Sequence, residues 1–147
     1  MNPNYNQTIT IYNRIPARDT ASKRDEWNKT VLRGCSWRCT TADTQMKDQQ
    51  SMMNRNTEET YTVRIPQKNP QNPDFRKYAE WKDNPEGSFT ISKSDVIILG
   101  ECSEEISGVS PNTAAEILQR YKPDAFLVKS FADNTSHLVG KHYKVGG

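Results

Sequence analysis

Three cysteines and two histidines carry most of the chemical reactivity available in this chain. A cysteine nucleophile needs a histidine base within hydrogen-bond reach, but no spacing in the sequence selects a pair from Cys35, Cys39, Cys102, His137 and His142. The two histidines are five residues apart, so on one strand they point to opposite faces and do not share a metal ion. These positions therefore predict no catalytic residue, no metal site and no cofactor.

Cys35 and Cys39 do not have the spacing of a zinc-binding or disulfide-bonded pair. On a strand, residues four apart share a face but lie too far from each other to be bridged. No further ligands stand at zinc spacing in the sequence. We expect the three thiols of the chain to be reduced, in a protein that is made in the cytoplasm.

Asp95 and Glu101 are the best candidates for a pair of catalytic carboxylates, because they flank one apolar run. Six residues of strand separate them by about 20 Å, which is too far for shared acid and base chemistry. The sequence also lacks a glycine-rich phosphate loop and a His-x-x-x-His pair. We therefore predict that the protein is not an enzyme.

The charge distribution argues against a nucleic-acid-binding protein. The chain has 20 basic and 18 acidic residues, a net charge of +2, and no extended basic stripe. Basic and acidic residues alternate near Trp27, which is typical of a solvated charged face. The basic ones are Arg14, Arg18, Lys23 and Arg24, and the acidic ones are Asp19, Asp25 and Glu26. No apolar segment has membrane-spanning length, and the first residues lack the pattern of a signal peptide.

The length and composition predict one domain with a small core. At 147 residues the chain is about one domain long, and we treat residues 1–147 as a single unit. Only 33% of the residues are apolar, so a core forms only if these residues concentrate in a few strands. Long polar segments then remain outside the core, where binding to neighbouring molecules can order them.

The longest run of large aliphatic residues is Val96–Leu99, which the turn-forming residues Ser94 and Asp95 precede and Gly100 follows. A short run that is β-branched at three of four positions is typical of a strand covered on both faces. We predict that this segment is the central strand of a small β core, and that it continues through Cys102 toward Ile106.

Alternating polar and apolar residues predict further strands around this one. They cover residues 7–13, 27–41, 59–66, 88–92, 125–131 and 137–145, with a bulge or close backbone contact at Gly34 and a hairpin between the last two. Apolar residues at helical spacing predict one helix over residues 113–121. The predicted fold class is mainly β, a small β-barrel or sandwich with one short α-helix and long polar loops.

Two polar inserts interrupt the predicted barrel, at about residues 41–58 and 67–87. A structureless insert of such length is uncommon in a compact domain and is often functional. In the first, Met46, Met52 and Met53 provide adaptable apolar contacts, although a plain exposed loop explains them as well. In the second, aromatic residues recur every three residues, on a short helical face or on an irregular segment that lies over a neighbour. They are Phe75, Tyr78 and Trp81.

Several of these segments, in this order, resemble an uncharacterised family of small tailed-phage virion proteins that are coded among head and tail structural genes. The segments that carry the resemblance are residues 8–13, 27–32 with Trp37, 61–66, 95–101 and 142–147. Proteins of similar size and strand order in that gene region are similar to head-completion, or stopper, proteins. None of the matching segments is catalytic, so the resemblance bears on fold and context.

The resemblance implies a non-enzymatic structural protein at the head-to-tail connection, or neck, of a bacteriophage virion that is assembled in the host cytoplasm. A ring of copies would link the portal and adaptor to the tail and hold the packaged DNA, with non-specific proximity to that DNA and no membrane contact. The alternatives are a minor capsid or decoration protein, a tail component, or a small accessory binding protein or enzyme.

Overall fold

A computed structural model describes residues 5–45, 55–67, 69–136 and 141–147 of the chain. Within these ranges the protein is mainly β, as the alternating segments predicted. In chain order, the elements are β1 (Gln7–Ile15), β2 (Glu26–Gln45), β3 (Arg55–Pro66), β4 (Asp74–Phe75), α1 (Tyr78–Trp81), β5 (Ser88–Phe89), β6 (Val96–Leu99), α2 (Ala114–Tyr121), β7 (Ala125–Leu127), β8 (Ser130–Asp133) and β9 (His142–Gly146). One turn of 3-10 helix, Ala17–Asp19, follows β1.

Seven of the strands form one antiparallel sheet in the order β7-β6-β1-β2-β3-β9-β8. β7 and β8 lie at opposite edges of this sheet, yet only Val128 and Lys129 separate them in the chain. The three Cα steps from Leu127 to Ser130 cover at most about 11 Å, so the sheet must curl until its two edges meet. The fold is therefore a half-barrel, and the predicted mainly β, barrel-like class is confirmed.

The predicted strand Val96–Leu99 is present as β6, and its side chains are buried on both faces of the sheet. Ile97 packs in one core cluster with Ile9 and Ile11, whereas Val96 and Ile98 pack in a second cluster beneath α2. Its predicted central position is wrong, because β6 pairs with β1 and with the edge strand β7. The middle of the sheet is β2.

β2 bends at Gly34, where the sequence predicted a bulge or a close contact, and both are present. The register between β1 and β2 shifts by one residue next to this position, and Gly34 has a φ of +68°. A Cβ at Gly34 would lie 2.7 Å from the Asn69 amide nitrogen. β2 pairs with β1 through Cys35, just after the bend, and with β3 from Ser36 onward. Gly34 thus turns the sheet into a curve.

The predicted helix is α2, whose N-cap is Thr113. The Thr113 hydroxyl accepts a hydrogen bond from the Glu116 N–H, as favourable N-caps do, and Ile117 is buried against the sheet. The prediction of only one helix is wrong, because Tyr78–Trp81 forms the additional short helix α1. This segment lies in the second predicted insert, at about residues 67–87. Its aromatic residues were interpreted either as a short helical face or as an irregular segment over a neighbour.

Several predicted boundaries are also wrong. Residues 41–45 and 55–58 are strand rather than a structureless insert, because β2 and β3 stay paired through them. The predicted strand over 125–131 is two strands, β7 and β8. Residues 101–106 form no strand, although Cys102 and Ile106 are buried in the second core cluster. The hairpin of the last two strands is confirmed as β8 and β9.

Candidate assembly surfaces

The most extended surface is a two-stranded arm, which we define as the paired residues 40–45 and 55–60 of β2 and β3. It contains six residue pairs, so it extends for about 20 Å. Pairing of β2 with β1 stops at Cys35, and pairing of β3 with β9 stops at Thr62. In the part of the chain that the structure describes, no third strand flanks the arm.

The arm has two open backbone edges, and its sequence is almost entirely polar. Open edges present rows of N–H and C=O groups that pair readily with a strand of another chain. An isolated two-stranded hairpin is only marginally stable in water. The arm is therefore the part of the fold that gains most from contact with another molecule.

Met46, Met52 and Met53, the first three predicted contact residues, lie outside the described residues. Their assignment as contacts stays a prediction. In the sequence they fall between the two strands of the arm.

A second surface is the aromatic patch, which we define as Phe75, Phe131 and Tyr143. The Phe75 ring centroid lies 4.3 Å from that of Tyr143 and 5.8 Å from that of Phe131. Phe131 is 38% exposed and lies on the edge strand β8, whereas Tyr143 is buried. Of the predicted contact residues, Phe75 thus reaches an exposed apolar surface.

Sequence reasoning missed Phe131, although a signal was present. Alternate residues of a strand share a face, so the predicted strand 125–131 places Leu127, Lys129 and Phe131 on the same face. Lys129 marks that face as solvent-exposed, and all three residues are exposed in the structure. The alternation therefore indicated an apolar group on the outside.

Trp81 is fully buried, so its prediction as an assembly contact is corrected by the structure. Its indole Nε1 donates a hydrogen bond to the Ser88 carbonyl at 3.2 Å. Tyr78 remains partly exposed, and its hydroxyl donates to an Asp19 carboxylate oxygen at 2.6 Å. The pKa of Tyr78 is raised to about 12, mainly by burial and in second place by this hydrogen bond. Tyr78 thus ties α1 to the turn after β1.

Asp95 is buried at the start of β6, where its carboxylate organises the preceding turn. The Asn13 side-chain amide and the backbone N–H groups of Arg14 and Ser92 donate to it at 2.8 to 2.9 Å. Burial raises the pKa of Asp95 to about 6, and these three donors partly oppose the rise. Glu101, at the other end of β6, is exposed and forms an ion pair with Arg33 at 3.3 Å.

Two hydroxyl groups next to this network, those of Ser88 and Thr90, are buried and have no hydrogen-bond partner among the described residues. The Thr90 backbone is satisfied, because its N–H donates to the Asn13 side chain and its C=O accepts from it. Unpartnered buried polar groups are uncommon in folded proteins. Ser88 also lines a surface groove of about 560 Å³ beside β2.

The structure contains no disulfide bond among its three cysteines, and their expected reduced state stays a prediction. Cys35 and Cys102 are buried and Cys39 is exposed, and burial raises the pKa of the Cys35 thiol to about 12. A thiol with so high a pKa is a poor nucleophile. His142 lies beside the Asn134 amide at 3.2 Å, whereas His137 falls outside the described residues.

Beneath α2, Glu104 joins the helix to the sheet. The Tyr121 hydroxyl and the Arg120 guanidinium donate to its carboxylate, and the Tyr12 hydroxyl donates to its carbonyl. These bonds hold the pKa of Glu104 below its usual range, and burial raises the pKa of Tyr12. The cluster is a structural contact between α2 and β1.

Four of the seven charged residues near Trp27 form ion pairs within the chain. Arg14 contacts Asp25 at 2.9 Å, and Arg18 contacts Asp19 at 3.7 Å. Across residues 5–45, 55–67, 69–136 and 141–147, no three histidine, cysteine or acidic side chains meet to form a metal site. The helices in the same ranges are too short or too polar to span a bilayer.

Comparison with known proteins identified one family. Its model, described as a family of unknown function (DUF6751), matches residues 4–147. No curated protein and no solved structure matches this chain.

Proposed function

This chain belongs to the family of unknown function DUF6751, and we propose from its own geometry that it is a non-enzymatic assembly protein. The observation that carries the proposal is the two-stranded arm, which extends about 20 Å beyond the last flanking strand. A polar ribbon with two open edges buries little surface of its own. Its free energy of folding improves when a neighbouring molecule pairs with it.

The arm extends from the half-barrel that carries the aromatic patch, and the two surfaces differ in chemistry. The arm is polar and offers backbone hydrogen bonds, whereas the patch offers the exposed ring of Phe131. Assembly proteins of closed rings need two such different surfaces on each copy, because the contact between neighbours is heterologous. This combination supports a ring-forming role.

We place the ring at the head-to-tail connection of a tailed bacteriophage, as a head-completion or stopper component that joins the portal and adaptor to the tail. This location rests on the resemblance of five sequence segments, given above, to small proteins of the head and tail gene region. A net charge of +2 on 147 residues is consistent with packaged DNA passing nearby without strong binding. The location would be the virion.

The first test of the proposal compares the full chain with an arm-shortened variant, in which Asn-Gly replaces residues 42–58. The new two-residue turn joins Thr41 to Glu59, which are already paired, and Asn-Gly suits such a turn. We expect the full chain to form rings in negative-stain images and a single oligomer in mass photometry. The variant should be monomeric with an unchanged near-ultraviolet circular dichroism spectrum, because residues 42–58 contain no aromatic residue.

Val109→Ser is the matched control, because Val109 is the most exposed large apolar residue described and does not lie in the arm. It should assemble as the full chain does. An arm-shortened variant that still forms the same rings would contradict the proposal that the arm mediates assembly.

The second test is the position of the protein in virions, labelled through an affinity tag. Density at the neck supports the head-completion role. Labels spread over the shell would assign it to a decoration role instead, and labels along the tail would make it a tail component.

A further inference from the structure

The outer edge of β2 is open in the first half of the strand, as the register shows. Backbone groups alternate in direction along a strand, and the Thr8 carbonyl accepts from the Gly100 N–H, next to β6. Even-numbered residues of β1 therefore face β6, and odd-numbered ones face β2, where their partners carry even numbers. Trp27, Lys29 and Val31 consequently direct their N–H and C=O groups away from β1.

At the bend this edge is closed by two asparagine side chains. The Asn72 amide accepts from the Arg33 N–H at 2.6 Å and donates to the Arg33 carbonyl at 2.8 Å, as a neighbouring strand would. Asn69 donates to the same carbonyl at 3.0 Å. Beyond the bend β3 takes over the pairing, from Ser36 onward.

Between residues 27 and 31 the edge has no such cover. Within the described ranges, no strand pairs with this edge, and no loop or side chain bonds to the outward backbone groups of Trp27, Lys29 and Val31. Three successive outward residues offer three N–H donors and three C=O acceptors. Such an edge is a template for strand addition.

The space beside this edge has the size of a short piece of a single strand. A groove of about 560 Å³ lies there, lined by β2 and by the loop segments around Pro73 and Pro85. A strand residue occupies about 160 Å³ at the usual rise, strand spacing and sheet separation, so the groove accommodates about three or four residues. It is too small for a two-stranded ribbon.

The side chains that line the groove carry more negative than positive charge. Glu86 and Glu105 are both exposed in it, and neither forms an ion pair among the described residues. The one basic residue of the lining is Lys29, whose ammonium group lies 3.4 Å from the Ser103 carbonyl. The groove therefore attracts a positively charged occupant.

The lining of the groove also includes Ser88, whose hydroxyl is buried and has no hydrogen-bond partner among the described residues. Leaving a buried polar group unpaired costs free energy. An occupant that offers Ser88 a partner would remove this cost. The groove thus combines an open backbone edge, an acidic lining and an unpartnered buried hydroxyl.

We propose that this groove binds one extended peptide segment of a partner protein, and that the segment carries a lysine or arginine. The segment adds as a strand to the three open residues of β2, and its cation is attracted to the two glutamates. The arm of a second copy does not fit, because it is two strands wide and carries Glu58 and Glu59. The inference goes beyond the assembly role and does not involve the arm.

The probe for this site is the synthetic peptide Thr-Val-Thr-Lys-Thr-Val-Thr with blocked ends. Two matched peptides carry glutamine or glutamate in place of the lysine. Isothermal titration calorimetry with the full chain should give a dissociation constant for the lysine peptide that is at least tenfold lower than for the glutamate peptide. High salt should reduce this difference, since it screens exposed charges. Bound lysine peptide should slow hydrogen exchange of the Lys29 and Val31 amides at least tenfold.

Two substitutions of Lys29 separate the backbone edge from the charge. Lys29→Pro removes the outward N–H but leaves the pairing with β1 intact, since that N–H takes no part in it. We expect it to bind the lysine peptide at least tenfold more weakly, although it also removes a positive charge from the groove. Lys29→Gln is the matched control, which keeps the N–H and should bind at least as tightly as the full chain.

Three further variants test the lining without altering β2. Glu86→Gln and Glu105→Gln should each weaken binding of the lysine peptide about threefold, whereas Glu80→Gln, an exposed glutamate outside the groove, should leave it unchanged. Ser88→Ala should also weaken binding. It should not lower the unfolding free energy of the free protein, because the hydroxyl that it removes has no partner among the described residues.

The outcomes decide the inference independently of the assembly role. It is overturned if the lysine peptide does not bind at millimolar concentration, if the three peptides bind equally, or if Lys29→Pro binds as the full chain does. Protection of the Lys29 and Val31 amides that grows with the concentration of the full chain alone would assign the groove to a second copy and overturn it too. The arm-shortened variant keeps the groove and should bind the lysine peptide as the full chain does, whether or not the full chain forms rings.

Discussion

At the scale of single residues, the position of Asp95 has a consequence for stability. Its carboxylate is buried, and its pKa is raised from 3.8 to about 6 mainly by that burial. The folded state therefore holds the proton more tightly than the unfolded state does between those pH values. This contribution to stability is fully present below about pH 4 and is lost as pH rises through about 6.

The first prediction follows from this titration. Since the pKa rises from 3.8 to about 6, the unfolding free energy of the protein, relative to that of Asp95→Asn, should fall by about 3 kcal/mol between pH 3.5 and pH 7.5. Urea denaturation of both proteins at several pH values measures it. Taking the difference between the two proteins removes the other carboxyl groups, such as Glu104, which titrate in both. If the difference in unfolding free energy between the two proteins stays flat with pH, the three hydrogen bonds offset burial. If it rises with pH, they outweigh burial.

The second prediction separates the two aromatic residues of α1. Trp81→Ala should lower the unfolding free energy by about 3–5 kcal/mol, because it empties a fully buried site. Tyr78→Phe removes only the hydroxyl that donates to Asp19 and should lower it much less, because that hydrogen bond lies in an exposed position. Chemical denaturation measures both. Equal losses would mean that α1 is held by its hydrogen bonds rather than by the indole.

The sequence predicted single residues well where a strand alternates. Tyr61, Val63 and Ile65 were placed on one face, and all three are buried. It could not separate Tyr78 from Trp81, because three-residue spacing puts both on neighbouring positions of one helical turn. Which of them faces inward depends on how α1 lies against β5, and that packing involves residues distant in sequence.

At the scale of elements, β2 is the strand that sets the shape of the molecule. It pairs with β1 up to Cys35 and with β3 from Ser36 onward, so its partner changes next to Gly34. A glycine at this bend satisfies two demands at once, a positive φ and room for the Asn69 amide. That amide, in turn, helps to cover the Arg33 carbonyl.

The third prediction compares two glycines with similar φ angles. Gly34→Ala and Gly87→Ala both place a side chain at a φ near +70°, which costs about 1–2 kcal/mol. Only at Gly34 does the new Cβ also meet Asn69, so that variant should lose about 1 kcal/mol more. Urea denaturation of the two variants tests this. If Gly87→Ala proves the more destabilised of the two, the contact with Asn69 does not restrict position 34.

The fourth prediction concerns the arm in the free protein. In dilute, monomeric protein, the amides of Ala42 and Glu58, which are partners within the arm, should exchange at least tenfold faster than those of Ile11 and Val63, because among the described residues no strand flanks the arm. Hydrogen exchange measured by mass spectrometry or NMR reports both. Arm amides that are as protected as the core would mean that the ribbon is stable by itself.

The extension of β2 and β3 through the first insert was beyond local sequence reasoning. Residues 41–45 carry no alternation of apolar and polar groups, and that alternation is the main signal for a strand. Their pairing instead continues from the apolar part of the same hairpin, where Val63 is buried opposite Trp37. Residues 101–106 were predicted to continue the strand but do not form one, and the cause is local. Gly100, at a φ of +90°, ends the strand although apolar residues follow.

At the scale of the whole molecule, contacts beside the link between β7 and β8 help to close the half-barrel. Lys129 of this link donates to the Gly146 carbonyl at 2.8 Å, and Tyr61 and Gly147 extend the pairing of β3 with β9 by exchanging hydrogen bonds at 2.8 and 3.1 Å. The Phe126 ring of β7 stacks on Tyr61 of β3, with centroids 4.8 Å apart. The last residues of the sequence shown are thus held both to β3 and to the link between the two edge strands.

The fifth prediction tests this closure. Deleting Gly146 and Gly147 removes these three backbone hydrogen bonds, each with a net contribution of about 1 kcal/mol, together with the pairing of Gly146 with Thr62 and Ser130. We expect the unfolding free energy to fall by at least about 3 kcal/mol, with a matching loss of near-ultraviolet circular dichroism from Tyr61 and Phe126. Adding two glycines after Gly147 is the control. A deletion without effect would place the closure of the half-barrel in side-chain packing.

The order of strands in the sheet could not be derived from the sequence. Strand segments, the final hairpin and the barrel-like class follow from alternation, turns and a scarce apolar content. β7 and β8 lie at opposite edges because the strand is interrupted at Val128 and Lys129. The apolar pattern of this segment is nevertheless typical of one continuous strand. Their separation is decided by the curvature of the whole sheet.

The root of the arm determines how the molecule responds to mechanical tension. A force that draws the arm outward acts along β2 and β3, which are held by eight residue pairs with β1 and by five with β9. The hydrogen bonds of antiparallel strands lie perpendicular to that force. They are sheared together instead of being unzipped one after another, so the arm transmits a pull to the body without peeling from it.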